Sequence, residues 1–284
     1  DLNEEIDLIE EVARIYGYEN IPTPKPTYST STIPDNPLFR FEQQIRSHFI
    51  AEGLQELLSC DLISPAQAQI CPAQEKNVAL VQILNPSSQD QSVLRPSLLP
   101  GILEIAKYNQ DHKNHTLHGF ELGKTYVKMD DKYIEQSMVA LLLTGNQHPH
   151  NWSHSSNTVD FFDLKGLVEN LIDRLNIPLG GQGIKFHTSA KETLHPGQQA
   201  KLIFNDRVIG CLGAVHPAIL RKEDINQPLF FAELSLHALL QAQNTTKRFE
   251  TLPNFPASER DWTLTLSETT NAQQLLDAIS SVPS

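Results

Sequence analysis

The stretch from Gln198 to Val215 constrains the fold more than any other. Gln198 to Phe204 and Arg207 to Val215 are strand-like runs separated only by Asn205-Asp206, a pair that tolerates the positive φ angles of a tight hairpin turn. Two residues are too few for a crossover, so these strands run antiparallel. Further strand-like runs lie near Leu57 to Ile63, Val78 to Leu84, His115 to Val127 and Ser137 to Gly145. Helical spacing appears in Phe41, Ile45, Phe49 and Ile50, in Ile102, Ile105 and Ala106 after Pro96-Ser97, and from Phe161 to Leu175. Sequential hairpins do not build a parallel doubly wound sheet. The expected class is α+β: an antiparallel sheet with helices gathered on one side.

A chain of 284 residues can bury a substantial core. Its longest apolar runs, such as Val139 to Leu143, are strand-sized, and no basic start leads into a signal-like apolar segment. The expectation is a soluble, intracellular, cytoplasmic protein with no membrane partner. Cys60, Cys71 and Cys211 form neither a close pair nor a metal-binding spacing, so they are expected to be buried thiols. A formal charge of −12 argues against a broad phosphate-binding surface. Lys247-Arg248 and Arg221-Lys222 are isolated basic pairs, so any RNA contact has to be local.

The two ends differ from the middle. Glu4 to Tyr16 reads as a helix with Ile9, Val12, Ala13 and Tyr16 as its apolar stripe and Gly17 as a left-handed stop. The proline-rich run from Pro22 to Pro37 follows it as a linker. Near the other end, Leu252-Pro-Asn-Phe-Pro256 marks a second linker before a strand, Arg260 to Leu266, and a helix, Asn271 to Val282, capped by Thr269 or Thr270.

Carboxylates crowd the first helix. Asp7, Glu10 and Glu11 stand three and four positions apart and share a face, with Asp1 at the helix entrance. Two readings fit: acids that complement the helix macrodipole and are solvated, or an all-oxygen site for magnesium or calcium rather than zinc. Other polar groups read as structural. His195 and His216 each precede a proline and shape turns, and His148, His150 and His154 around Trp152 lie in a polar loop. Ser92 and Ser97 lack a His and Asp pattern, and Leu179-Gly-Gly-Gln-Gly183 lacks the Lys-Ser/Thr end of a phosphate loop.

Longer motifs carry a specific resemblance. Asp7-Leu-Ile-Glu-Glu-Val-Ala-Arg-Ile-Tyr-Gly-Tyr18, Ser92-Val-Leu-Arg-Pro-Ser-Leu-Leu-Pro-Gly101, Gly119-Phe-Glu-Leu-Gly123, Asp160-Phe-Phe-Asp-Leu-Lys-Gly166, His195-Pro-Gly197, Gly210-Cys-Leu-Gly-Ala-Val-His-Pro217 and Phe255-Pro-Ala-Ser-Glu-Arg-Asp261 occur in that order. Together they resemble the β subunit family of bacterial phenylalanyl-tRNA synthetase, to the last residue of the chain. The resemblance implies a C-terminal portion cut at both ends. Residues 1–21 would end a magnesium-associated domain, 22–37 form a linker, 38–246 a class II synthetase-like core, 247–256 a linker, and 257–284 the start of a ferredoxin-like anticodon-binding domain. The family's magnesium ligands map onto Asp1, Asp7, Glu10 and Glu11.

The same resemblance implies that the core is not a catalyst. A class II synthetase stabilises adenylate formation with two arginines on ATP and a metal held by acids. The first arginine lies two before a glutamate, and His118-Gly-Phe-Glu121 has Gly119 there; the second has its counterpart in Phe230 to Leu240, which holds neither glycine nor arginine. The implied role is structural and tRNA-positioning, in an (αβ)2 assembly whose α subunit binds ATP and attaches phenylalanine to tRNA(Phe). No catalytic residue is assigned in this chain. The competing expectation is an autonomous magnesium-dependent enzyme or a disguised adenylate-forming ligase.

Overall fold

A computed structural model describes residues 4–24, 33–72, 78–149, 151–153, 155, 157–180, 183–244, 246, 249, 255–256, 258–267 and 270–281. The chain forms two units, Asp1–Asn36 and Pro37–Ser284.

The first unit holds α1 (Glu5–Tyr16). Gly17 ends it with φ +91° and ψ 121°; φ is positive as expected, but ψ lies outside the left-handed helical well, in a region that glycine alone enters readily. The apolar stripe does not form a core here. No residue of α1 is buried, and Ile9, Val12 and Tyr16 are all more than half exposed. One helix of this length has too little surface around it to cover its own apolar face.

In the second unit α2 (Pro37–Ala51) is followed by β1 (Gln55–Glu56), β2 (Leu62–Ile63), α3 (Pro65–Ala68), β3 (Val78–Ala79), β4 (Val81–Gln82), β5 (Val93–Leu94) and α4 (Leu99–Asp111). The long strands β6 (Leu117–Met129) and β7 (Lys132–Thr144) come next, then α5 (Phe161–Arg174), β8 (Lys185–Thr188), β9 (Leu194–Phe204), β10 (Arg207–Val215), α6 (Pro217–Lys222), β11 (Leu229–Ser235), α7 (Leu236–Ala242) and α8 (Ala272–Ser280). The main sheet runs β1-β6-β7-β11-β10-β9-β8, with β3 also paired to β6, while β2, β5 and β4 make a small second sheet. Every pairing is antiparallel except β1 with β6.

Turn chemistry sets the register. Asn205 and Asp206, at φ 49° and 59°, join β9 to β10, and Asp130 and Asp131, at φ 46° and 62°, join β6 to β7. Positive φ at both central residues gives a turn whose twist matches the strands, and Asn and Asp tolerate it better than other side-chain-bearing residues. The second hairpin pairs from Met129 with Lys132 through Leu117 with Thr144, longer than the two separate runs suggest.

Helices cover both faces of the sheet rather than one. On the first face α2, α5 and α7 bring Ile45, Phe49, Leu164, Val168, Leu171 and Leu239 against Phe120, Leu141 and Ala232; Phe49 and Phe120 meet at a ring-centroid distance of 5.4 Å. On the second, Leu99, Ile102 and Leu103 of α4 and Leu220 of α6 pack on Leu142 and Phe231. The apolar stripe of α4 is as well formed as that of α5, and a sheet apolar on both sides needs both covers. Ile50 departs from its predicted burial and is 56% exposed. The run predicted from Leu57 to Ile63 contains only the short β2, with β1 just before it, and Val78 to Leu84 divides between β3 and β4. Among the three free cysteines Cys60 is exposed, whereas Cys71 and Cys211 are buried as expected.

The far end differs from its predicted form. Residues 258–267 form no strand, and α8 starts at Ala272, with the Asn271 N–H donating to Gln274 Oε1 at 3.1 Å. Thr269 and Val282 lie outside the described residues. Trp262, Leu264, Leu266, Leu276 and Ile279 are each more than 40% exposed. Apolar side chains left in water cannot offset roughly 1–2 kcal/mol of backbone entropy per ordered residue. Hydrogen exchange should therefore find amides of 272–280 exchanging on the order of 100-fold or more faster than those of Val139 to Leu143. Equal protection would show that this end is packed in solution.

Candidate functional site

The second sheet face carries two buried carboxylates. Glu121 of β6 and Glu233 of β11 both register opposite Ala140 of β7, one on each side. Two strand spacings put their Cα atoms about 10 Å apart. They are 0% and 6% exposed, so each requires internal partners.

Glu121 meets Arg95, 2% exposed, whose Nη1 donates to Glu121 Oε1 at 2.8 Å. Arg95 also donates through Nε to the Lys124 carbonyl at 2.8 Å, through Nη1 to Ser59 Oγ at 2.8 Å, and pairs through Nη2 with Asp61 at 2.7 Å. Ser59 Oγ donates to Glu121 Oε2 at 2.7 Å. Gly123 makes this geometry available, since a Cβ there would stand 2.5 Å from Arg95 Nη2. Glu233 Oε1 accepts from Ser97 Oγ at 3.0 Å and from the Leu98 N–H at 2.7 Å, at the entrance to α4. The loop before α4 thus fastens to the sheet at two carboxylates.

The position of the first expected arginine is closed. A Cβ on Gly119 would meet Leu57 Cδ1 at 2.6 Å and the Gln55 carbonyl oxygen at 3.2 Å, because β1 lies directly alongside. A long side chain cannot project there without displacing Leu57, which is itself in the core of that face. The segment of the second arginine continues from β11 into α7, where Leu236 and Leu239 are fully buried. Around its carboxylates the face is filled, and the arginine there, Arg95, is engaged by Glu121 and Asp61. The clefts among the described residues open away from the two carboxylates, the first of them at the end of the same face beside Val215, Leu220 and Leu229. One of about 440 Å³ is lined by His195, Gln198, Val215, Pro217 and Phe230, and another by Asp160, Phe161, Phe162, Gly197 and Gln199. Neither includes Glu121, Glu233 or Arg95.

The acids of α1 offer the oxygen donors that a hard cation takes, and two of them are engaged within the helix. Asp7 accepts the Glu4 N–H at 3.0 Å, completing one arm of a cap, and Glu11 accepts from Arg14 Nε at 3.1 Å. Glu10 is exposed, and Asp1 lies outside the described residues. Among the described residues no three His, Cys, Asp or Glu side chains are arranged to hold a metal ion. The described residues therefore do not make a magnesium site by themselves.

The remaining candidates do structural work. His195 Nδ1 accepts from the Gly197 N–H at 3.1 Å, and His216 Nδ1 from the Ala218 N–H at 3.1 Å, where it caps α6. Ser92 donates to the Gln89 carbonyl. The run from Leu179 to Gly183 is a turn closed by a bridge from Leu179 to Ile184, with 181–182 outside the described residues. His150, His154, Lys247 and Arg248 also lie outside them. His118 has a buried Nε2 without a hydrogen-bond partner, and burial holds its pKa below the usual histidine value. Sequence reasoning passed over Arg95 and both glutamates as functional positions. Their signal was a charge set inside an apolar strand pattern, Phe120-Glu-Leu122 and Ala232-Glu-Leu234.

Comparisons with known proteins bear on this geometry. The family described as "Phenylalanyl tRNA synthetase beta chain CLM domain" matches residues 21–236. The chain is 44% identical over 284 residues to the phenylalanine–tRNA ligase β subunit of Protochlamydia amoebophila, covering 98% of this chain and 34% of that protein. It is 34% identical over 281 residues to the Bacillus subtilis β subunit, again 98% and 34%. The chain thus spans about a third of the length of these relatives. Among solved structures, the pyrrolysyl-tRNA synthetase of Desulfitobacterium hafniense shares the fold, with a TM-score of 0.53 at 14% identity over 72% of this chain and 68% of that one.

Arg95→Met should cost about 3–5 kcal/mol in urea unfolding, because it strands the buried Glu121 carboxylate. Arg95→Met combined with Glu121→Gln should recover part of that loss. Additive losses would show that the pair is not coupled.

Proposed function

The chain belongs to the phenylalanyl-tRNA synthetase β-chain family, and we propose that it supplies the synthetase-shaped, non-catalytic core of a phenylalanine–tRNA ligase β subunit. The observation that carries this reading is the filled region of the second sheet face around Gly119, Glu121 and Glu233. Gly119 is pressed against β1 where an ATP-binding arginine would stand, and Glu121 and Glu233 are spent on holding the loop before α4. A face so filled positions other parts and does not itself bind ATP. Adenylate chemistry then belongs to an α subunit, which binds ATP and joins phenylalanine to tRNA(Phe) in an (αβ)2 assembly in the cytoplasm.

Residues 257–284 belong, on this reading, to the opening of a ferredoxin-like domain that contacts the tRNA. Their exposed apolar side chains suit a segment that docks on further structure. Residues 1–21 belong to a preceding domain, and the uncovered stripe of α1 suits the same role. Asp1, Asp7, Glu10 and Glu11 contribute to a magnesium site whose remaining ligands come from water or from other parts of the assembly. Magnesium retains several waters and tolerates few protein carboxylates, consistent with a weak site that organises rather than reacts.

The chain should co-elute with an α subunit in size-exclusion chromatography. In the intact assembly, Asp7→Asn with Glu10→Gln should raise the magnesium concentration needed for thermal stability. Failure to co-elute would remove the scaffold reading, and an unchanged magnesium requirement would return the acids to a solvated helix face.

A further inference from the structure

Lys191 lies in the turn leading into β9, and one side chain holds its backbone. Its N–H donates to Gln199 Oε1 at 2.8 Å, and its carbonyl accepts from Gln199 Nε2 at 3.4 Å. From that anchorage the side chain reaches across to β10, where Nζ lies 3.4 Å from Cys211 Sγ. Cys211 is equally fixed. It is 8% exposed, registers opposite Glu233 on one side and Lys201 on the other, and belongs to the core of the second face. An amine and a thiol held in contact by a fixed turn and a strand have a high effective concentration toward each other.

Their surroundings select the chemistry. Burial pushes the Cys211 thiol above its ordinary pKa, so it is a poor nucleophile toward dissolved disulfides. A small, uncharged oxidant such as dioxygen can still enter, and the half-buried Lys191 provides its approach from solvent. One oxygen atom fits between nitrogen and sulfur after a sub-ångström approach. Oxidation of Cys211 to a sulfinate would instead place a new charge in an apolar core beside the Glu233 carboxylate.

We propose that Lys191 and Cys211 form an oxidation-dependent clasp, an Nζ–O–Sγ cross-link between the turn before β9 and strand β10. The ammonium first releases a proton to solvent, against a pKa that, despite burial, Cys211 and Glu233 hold above the ordinary lysine value. The amine and thiol then take up one dioxygen: one N–H bond and the S–H bond break, N–O and O–S bonds form, and the second oxygen leaves as water with the two hydrogens. Nitrogen and sulfur each give up two electrons, which together reduce both oxygen atoms. Dithiothreitol reverses the link by reducing it to amine, thiol and water.

The test is the intact mass of the full chain kept in air-saturated buffer or in dithiothreitol. Air should produce a species heavier by about 14 Da, one oxygen gained and two hydrogens lost, that disappears on reduction. Tryptic digestion of that species should yield a linked pair of peptides containing Lys191 and Cys211. Lys191→Arg and Cys211→Ser should abolish it, and Cys71→Ser should leave it in place. The proposal is overturned by an unchanged mass, by a loss of about 2 Da marking a disulfide, by a gain of about 32 Da on Cys211, or by a gain of 14 Da that survives dithiothreitol or Lys191→Arg. The wild-type peptide map decides the matter even where a variant fails to fold.

Discussion

Burying Glu121 and Glu233 on the second sheet face is the constraint on which the arrangement of the second unit depends. A carboxylate removed from water without partners is strongly destabilising, so each forces a specific piece of chain against the sheet. Glu121 draws in Arg95 and Ser59, and Glu233 draws in Ser97 and the Leu98 N–H. Because these partners lie within forty residues of one another, the connection from α2 to α4 is folded down onto that face, with α4 sealing it. Ala140 between the two carboxylates is small enough to let both clamps close over one strand.

That closure underlies the proposed scaffold role of the synthetase-like sheet. The fold is shared with a pyrrolysyl-tRNA synthetase at 14% identity, and the sheet region around Gly119 and the two glutamates is occupied by the protein's own side chains. Leu57 takes the volume beside Gly119, and the loop before α4 takes the hydrogen-bonding capacity of both glutamates. The pieces at either end show the opposite balance. α1 leaves its apolar stripe uncovered and residues 258–267 form no strand, so both have more apolar surface than they can bury alone.

The hairpins were legible because Asn205-Asp206 carries its turn chemistry in two residues, and the helices through Ile45, Leu164 and Ile102 were legible from their spacing. Placement on both faces was not, since periodicity gives the width of an apolar stripe and not the side of the sheet that receives it. The strand expected at Arg260 to Leu266 has the right alternation, but a strand needs a neighbour, and pairing is not a local property. At the site, Gly119 and the absence of arginine from Phe230 to Leu240 were visible at once. The clamp was not, because Ser97 and Glu233 are 136 residues apart in the chain and come together only when the sheet assembles. In α1 the spacing of the acids was legible, whereas the engagement of Asp7 with the Glu4 N–H and of Glu11 with Arg14 was not.

The most direct measurement of the closed face is ATP–pyrophosphate exchange with phenylalanine by the highly purified chain. A face sealed by Arg95, Glu121, Leu57 and Glu233 predicts no exchange above the protein-free control. Exchange that survives removal of contaminating synthetase and is lost on substitution of Glu121 or Glu233 would contradict it, and would make the buried carboxylates part of an active site.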